Sequence, residues 1–160
     1  MIGISGCGKS TYANKLRQLI CSTDRFIDTY AKVLGVDYKE SFDNIQLVGL
    51  FGELNGRFND DINCAIIGNE DFIIDRTNLT VGSRTQLISR IRTIAEKYGR
   101  DVIIKGVVFN IPKKTILERL HKREEEQGKT IPQDVVEQQF KSYQTPTINE
   151  GFDVLEQIHV

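Results

Sequence analysis

The sequence Gly3-Ile4-Ser5-Gly6-Cys7-Gly8-Lys9-Ser10 fits the pattern G-x-x-x-x-G-K-[S/T] at every fixed position. This pattern is the phosphate-binding P-loop, in which glycines let the backbone turn tightly and successive N–H groups point at phosphate oxygens. Apolar Ile2 and Ile4 lie at its start and a helical pattern follows at residues 11–20, which is the strand–loop–helix context that the motif requires. The sequence therefore predicts a nucleotide-binding site.

Each part of the motif has an expected task. Lys9 is expected to reach the β- and γ-phosphates of ATP, and the Ser10 hydroxyl to ligate Mg²⁺. Cys7 is interpreted as a small spacer in the loop, with a redox switch as the less favoured alternative. The expected contacts to ATP are made by Gly3, Ser5, Gly6, Cys7, Gly8, Lys9, Ser10 and Thr11.

Length and composition limit the class of protein. A chain of 160 residues suits a single domain, expected to span residues 1–160. The sequence has neither a long apolar run nor a basic-then-apolar leader, and three cysteines without metal-ligand spacing suggest reduced thiols, so we expect a cytoplasmic protein without membrane contact. A net charge of −1 argues against an extensive surface for non-specific nucleic-acid binding but allows a small basic site.

Strand and helix patterns alternate along the chain. This alternation predicts an α/β fold with a mostly parallel central sheet flanked by helices. A charged stretch with a glycine at residues 123–130 is interpreted as a mobile loop, within a lid at about residues 122–131. Strands are expected at residues 1–4, 20–22, 72–74, 102–109 and 152–160, and helices at 11–20, 25–35, 47–65, 81–98, from 112 and at 132–140, with a capping box at 37–40.

Ligands of parallel α/β sheets bind at the carboxyl ends of the strands, which directs attention to Asp24, just after the second strand. Transfer of a phosphoryl group to a hydroxyl needs a group that orients the acceptor and takes its proton, and a carboxylate beside a P-loop can do both. Asp24 is therefore the candidate general base. The alternative is that Asp24 only caps the following helix, since aspartate favours that position.

Asp75 ends the apolar strand at residues 72–74, the usual place for an acidic residue that orients Mg²⁺ or its waters. Thr77 and Asn78 follow it with hydroxyl and amide groups suited to substrate contacts. Turn formation is the alternative reading of all three residues.

Arg123 is the candidate lid arginine, expected to stabilise charge on the γ-phosphate during transfer. The alternative is an exposed cation at a helix end. Arg119, Lys122 and Lys129 lie near enough in the sequence to compete for the same role.

Together these residues resemble the 5′-hydroxyl polynucleotide kinase family, the end-healing kinases of bacteriophages and the kinase domain of the eukaryotic DNA-repair enzyme. The similarity extends over nearly the whole chain. It is carried by the P-loop, by Ser22-Thr23-Asp24, by Asp75-Arg76-Thr77-Asn78 near the family's D-x-T-N, by Ser83-Arg84 at the family spacing, and by Pro146-Thr147-Ile148-Asn149-Glu150-Gly151-Phe152, which is similar to the P-T-x-x-E-G-F ending of eukaryotic members.

The resemblance implies a P-loop kinase fold with a mobile lid, in the cytoplasm (or the host cytoplasm for a phage protein), acting on 5′-OH DNA or RNA ends with ATP and Mg²⁺. It implies Asp24, Lys9 and Arg123 as catalytic residues and Ser10 and Asp75 at the metal. The acceptor arginine of the phage enzymes, three residues after the catalytic aspartate, is replaced by Ile27. The expected substrate contacts are Arg25, Asp75, Arg76, Thr77, Asn78 and Arg84.

Two other functions compete with a polynucleotide kinase. One is a small-molecule P-loop kinase acting on a nucleoside, a sugar acid or an antibiotic. The other is a nucleotide-binding module without transfer activity. The phosphatase motif D-x-D-G-T that accompanies the family's kinases is absent from the sequence, so we expect a kinase without phosphatase.

Overall fold

The computed structural model describes residues 1–159, apart from the side chain of Gln127, and shows an α/β fold. The predicted end of the last strand at residue 160 lies outside the described residues. The helices are α1 (Lys9–Ala13), α2 (Thr23–Leu34), α3 (Tyr38–Leu47), α4 (Phe51–Gly68), α5 (Val81–Lys97), α6 (Lys113–Gln127) and α7 (Gln133–Ser142), and a 3₁₀ turn covers Ile148–Glu150. The strands are β1 (Leu19–Cys21), β2 (Phe72–Ile74), β3 (Lys105–Asn110) and β4 (Val154–His159).

The strands form two parallel pairs, β1 with β2 and β3 with β4. Residues 1–4 lie between the pairs and connect them. Ile2 forms a parallel bridge with Val108, and the Met1 amine donates to the Ile74 carbonyl at 3.1 Å. The spatial order is therefore β1, β2, residues 1–4, β3 and β4, which confirms the mostly parallel arrangement, although the predicted first strand is reduced to a single bridge.

Helices cover both faces of this sheet. Side chains of a strand alternate between the faces, so the two clusters that share one strand lie on opposite sides. Cys21, Phe72 and Ile74 pack in a cluster with α4 and α5, whereas Ile20 and Ile73 pack in another with α6 and α7. The carboxyl ends of the strands consequently open at one edge, between the two helical layers.

Local sequence signals at helix ends are confirmed. Gly35 ends α2 in the left-handed conformation (φ 69°), and the Asp37 side chain accepts from the Glu40 N–H at 2.8 Å at the start of α3. The predicted strand at residues 102–109 is shorter, since β3 begins at Lys105 and Ile103 is 82% exposed.

Two helix predictions are wrong in length. The helix after the P-loop ends at Ala13 instead of residue 20, because Arg17 adopts a left-handed conformation (φ 51°) and β1 begins at Leu19. The helix predicted at residues 47–65 begins only at Phe51, and Leu47 is instead the last residue of α3. Gly49 (φ 73°) and the Leu50 N–H, which donates to the Ile45 carbonyl, form a glycine stop between α3 and α4.

The interpretation of residues 123–130 as a loop is also wrong in its first half. α6 continues to residue 127 and ends at Gly128 (φ 63°). Lysine, arginine and glutamate are good helix formers, and pairs one turn apart, such as Lys122 with Glu126, favour a solvated helix. High charge therefore marked an exposed helix face in this segment, and Arg123 lies on a helix.

A buried ion pair joins two motifs that are far apart in the sequence. The Arg84 side chain is 2% exposed, and its Nε and Nη2 donate to the Glu150 carboxylate at 2.5 and 2.9 Å. Its Nη1 donates to the carbonyls of Asn78 and Leu79 at 3.0 and 2.9 Å. The arginine lowers the pKa of the Glu150 carboxyl through these hydrogen bonds. Arg84 thus ties the loop after β2 to the segment before β4.

Removing one partner of this pair leaves the other charge buried. We therefore expect Arg84→Met to lower the free energy of unfolding by about 3–5 kcal/mol. The matched control is Arg57→Met, because Arg57 pairs with Glu53 on the exposed surface of α4 and such pairs contribute at most about 1 kcal/mol. Urea denaturation of both variants measures the difference. Equal losses would show that the Arg84–Glu150 pair does not stabilise the fold as its burial indicates.

Candidate functional site

The P-loop conformation depends on two glycines with positive φ. Gly6 (φ 85°) and Gly8 (φ 101°) adopt backbone angles that other residues rarely take. A Cβ on Gly6 would also lie 2.9 Å from Leu120 Cγ on α6, so the helix packs directly on the loop. Ser10 and Thr11 follow at the start of α1 with exposed side chains. Backbone N–H groups and hydroxyls are thereby presented at the carboxyl edge of the sheet.

Lys9 is buried inside this loop. Its Nζ donates to the carbonyls of Gly3 and Ile4 at 2.8 and 3.0 Å, and its side chain is enclosed by residues 3–9. The Cys7 thiol is 1% exposed and would lie 2.7 Å from a Cβ on Gly3, so it fills the space under the loop. This packing favours the spacer interpretation of Cys7.

Asp24 lies in the first turn of α2 with an exposed side chain, while Ser22 takes the N-cap position. Its carboxylate faces α3, where burial raises the pKa of the Tyr38 hydroxyl and the nearby carboxylates of Asp24 and Asp28 raise it further. The side chain is thus available in the cleft that the P-loop lines.

The loop after β2 is held by hydrogen bonds to the first residues of the chain. The Thr77 carbonyl accepts from the Gly3 N–H at 3.0 Å, and Asn78 Nδ2 donates to the Met1 carbonyl at 2.9 Å. Asn78 has a left-handed conformation (φ 48°), which supports its turn interpretation. The side chains of Asp75 and Thr77 line the cleft.

The three arginines expected at the substrate are placed differently. Arg25 is exposed at the cleft, next to Asp24 on α2. The Arg76 guanidinium lies 4.3 Å from the Phe58 ring centroid and donates to Asn55 on α4 at 2.7 Å, yet Arg76 also lines the cleft. The predicted substrate contact of Arg84 is wrong, because its buried guanidinium is held by Glu150 and two carbonyls and is turned away from the cleft.

α6 carries two arginines one turn apart that lie over different parts of the site. Arg119 Nη1 lies 3.4 Å from the Cys7 carbonyl and 3.7 Å from the position of a Cβ on Gly8, directly over the P-loop. The positive charge of Arg123 is close enough to Tyr38 to oppose the rise in the pKa of its hydroxyl. The sequence predicted Arg123 at the phosphates, with Arg119 as a competitor for that role, and the structure places Arg119 over the P-loop.

Lys129 and Gln139 also contact the site. Lys129 was predicted only as a competitor for the role of Arg123, and Gln139 was not assigned a role. Lys129 Nζ pairs with the Asp28 carboxylate at 2.8 Å and lies 3.8 Å from the Tyr38 ring centroid, so residues after α6 cross the cleft to α2 and α3. Gln139 of α7 accepts from the Ser5 N–H at 2.9 Å. The available signal for Gln139 was its spacing from Val136 and Phe140 on the apolar face of α7.

The cleft differs in charge from the chain as a whole. Its volume is about 2370 Å³, larger than the roughly 300–1,000 Å³ typical of a pocket for one small ligand. Six acidic residues and ten basic ones line it, although acidic residues slightly outnumber basic ones in the chain. The basic residues are Lys9, Lys15, Arg25, Lys32, Lys39, Arg76, Arg119, Lys122, Arg123 and Lys129.

Comparison with known proteins agrees with the P-loop geometry. A family model described as an AAA domain matches residues 1–146. The chain belongs to the AAA domain family. The match indicates a P-loop nucleotide-binding protein of the kinase or ATPase type. No curated protein matches the chain.

Within residues 1–159, no group of three or more histidine, cysteine, aspartate or glutamate side chains is arranged to hold a metal ion. Over the same residues, each helix is too short or too polar to cross a membrane.

The different positions of the two arginines on α6 lead to a prediction about nucleotide binding. We expect Arg119→Ala to weaken ATP binding about tenfold or more, since a hydrogen bond to a charged group contributes about 1.5–3 kcal/mol. Arg123→Ala should leave ATP affinity within about twofold, because Arg123 faces Tyr38. Isothermal titration calorimetry with ATP compares the variants directly. A larger loss for Arg123→Ala would restore the assignment of Arg123 to the phosphates.

Proposed function

We propose that this AAA domain transfers the γ-phosphoryl group of ATP to the 5′-hydroxyl end of DNA or RNA. The observation that carries the proposal is the exposed carboxylate of Asp24 in the same positively charged cleft as the P-loop. A P-loop provides the donor phosphate, a carboxylate accepts the proton of a hydroxyl, and excess positive charge attracts a polyanionic acceptor.

The donor side uses the loop backbone and three side chains. The N–H groups of Gly6 and of residues 8–11 and the Lys9 ammonium bind the phosphates, because the loop and the start of α1 present donors towards them. The exposed Ser10 hydroxyl and the Asp75 carboxylate are oxygen ligands of the kind that Mg²⁺ prefers, directly or through water. When bound, Mg²⁺ neutralises negative charge on the phosphates.

On the acceptor side, Asp24 orients the hydroxyl and takes its proton as the hydroxyl oxygen bonds to the γ-phosphorus. The bond from that phosphorus to the bridging oxygen breaks, and ADP leaves with the electron pair. Arg119 over the loop stabilises the charge that spreads over the phosphoryl oxygens.

The acceptor is held by cations other than the arginine of the phage enzymes. Ile27, which replaces that arginine, is 2% exposed and packs with Ile45 and Leu54. Arg25, which follows Asp24 on α2, and Arg76, in the loop after β2, are the candidate cations in the cleft.

A small-molecule kinase is the second candidate, and one observation favours it. Lys129 crosses the cleft to Asp28 and to the Tyr38 ring, which narrows the acceptor side. A closed acceptor pocket suits a nucleoside or a sugar acid, whereas an oligonucleotide needs an opening for the chain beyond its first nucleotide.

One experiment distinguishes these candidates. The protein is incubated with labelled ATP, Mg²⁺ and a panel of 5′-OH DNA and RNA oligonucleotides, nucleosides and sugar acids. Labelling of the oligonucleotides alone supports the proposal, and labelling of a small molecule alone replaces it. Lys9→Ala, which removes the ammonium that contacts the phosphates, serves as the negative control.

Removal of the general base should slow phosphoryl transfer without weakening ATP binding. We expect Asp24→Asn to lower kcat by about 10²–10⁴ at nearly unchanged KM for ATP, because the carboxylate faces the acceptor. Steady-state kinetics with saturating oligonucleotide measures both constants. A collapse of ATP affinity with turnover preserved at saturation would show that Asp24 has a structural or metal-binding role.

Charge reversal should identify the cation that holds the acceptor. We expect Arg25→Glu to raise KM for the oligonucleotide at least tenfold with little change in KM for ATP. Arg76→Glu should have a smaller specific effect, since Arg76 is already engaged with Asn55 and Phe58. The exposed Arg57→Glu on α4 is the matched control. If neither cleft variant raises KM for the oligonucleotide more than KM for ATP, the electrostatic argument for a polynucleotide acceptor fails.

A further inference from the structure

A glutamine that is distant in the sequence contacts the P-loop. Gln139 Oε1 accepts a hydrogen bond from the Ser5 N–H at 2.9 Å. Gln139 lies on α7, where Val136 is 1% exposed and Phe140 packs against the core that contains the P-loop cysteine. The packing of these two apolar neighbours directs Gln139 towards the loop.

The contact lies at the end of the loop that receives the terminal phosphates. Lys9 Nζ, the group of a P-loop that reaches the β- and γ-phosphates, is bonded to the carbonyls of Gly3 and Ile4. Ser5 follows Ile4 directly, so its N–H and the Gln139 amide lie beside the same end of the phosphate chain. Ser10 and Thr11, at the start of α1, lie at the opposite end of the loop.

The Gln139 amide has further hydrogen-bonding capacity in the cleft. Its oxygen is fixed by the Ser5 N–H, and this anchors the orientation of the whole planar amide. Within residues 1–159, no acceptor lies at hydrogen-bond distance from Nε2, and Gln139 lines the cleft. Two N–H donors are therefore presented beside the place where the terminal phosphate would lie.

We propose that Gln139 donates from Nε2 to the terminal phosphate of bound ATP and holds it for transfer. This assignment rests on the proposed function, in which the cleft binds ATP as phosphoryl donor. A donor already oriented before the reaction stabilises developing charge without reorganisation, and the loss of one such donor lowers rates by about 10²–10³. Gln139 is then a catalytic residue supplied by α7.

The decisive variant is Gln139→Glu, because the carboxylate has almost the same shape. One of its oxygens still accepts from the Ser5 N–H, whereas the other replaces two donors by a negative charge. We expect the Kd for ATP to rise at least tenfold and the Kd for ADP, which lacks the terminal phosphate, to stay within twofold. Gln138→Glu is the matched control, since Gln138 is exposed on the same helix.

A second variant separates charge from lost hydrogen bonds. Gln139→Met removes both the donor and the acceptor while keeping a similar side-chain volume. We expect it to raise the Kd for ATP about fivefold and to leave the Kd for ADP within twofold. Isothermal titration calorimetry with ATP and with ADP provides these values without any acceptor. A thermal denaturation curve for each variant verifies that the fold is retained.

The outcomes separate this inference from the proposed function. Equal weakening of ATP and ADP, or unchanged binding of both, would overturn the contact to the terminal phosphate. Tighter ATP binding by Gln139→Met would also overturn it, because Gln139 would then compete with phosphate for the Ser5 N–H. If the Gln139 variants weaken ATP binding more than ADP binding but no acceptor in the panel is labelled, this inference holds and the proposed polynucleotide kinase activity fails.

Discussion

The buried ammonium group of Lys9 is the constraint around which the site is built. It lies inside its own loop, with carbonyl oxygens of Gly3 and Ile4 as hydrogen-bond partners. Within residues 1–159, no carboxylate lies at ion-pair distance from it. A buried charge without a counter-ion costs free energy, and an anion that enters the loop lowers that cost. The same constraint explains the positive φ angles of Gly6 and Gly8, which allow the backbone to enclose a charge and still present N–H groups to phosphate.

The loop after β2 depends on a different buried charge. Arg84 holds the carbonyls of Asn78 and Leu79 and is itself held by Glu150. The loop that carries Asp75 and Thr77 is thereby fixed between the first residues of the chain and the segment before β4. The two motifs that resemble the polynucleotide kinases at residues 83–84 and 146–152 are thus one structural unit. Their role in this chain is to position the loop at the cleft, which a direct substrate contact by Arg84 would disrupt.

The sequence predicted those features that depend on interactions between residues close together in the chain. The P-loop, the glycine stop of α2, the aspartate cap of α3 and the apolar strand β2 all depend on residues within one or two turns. The break at Gly49 was missed because Leu47 continues the apolar spacing of α4 by coincidence and is 85% exposed. Arg84, Arg119 and Gln139 were misplaced or missed because their partners lie 66, 112 and 134 residues away, beyond the range of any local pattern. The roles of Asp24, Asp75 and Arg25 stay predictions.

Because α6 is a continuous helix, the cations predicted for the lid are attached to one rigid element. Arg119 and Arg123 are one turn apart on a continuous helix, so their Cβ atoms are separated by about 6 Å and move together. Arg119 lies over the P-loop, Arg123 faces Tyr38, and Lys129 just beyond the helix reaches Asp28. A flexible loop could position each cation independently, but the backbone positions of two residues on one continuous helix shift together. Under the proposed kinase function, a movement of α6 that opened the acceptor side would therefore also displace Arg119 from the P-loop, which couples the two sides of the site through a single rigid element.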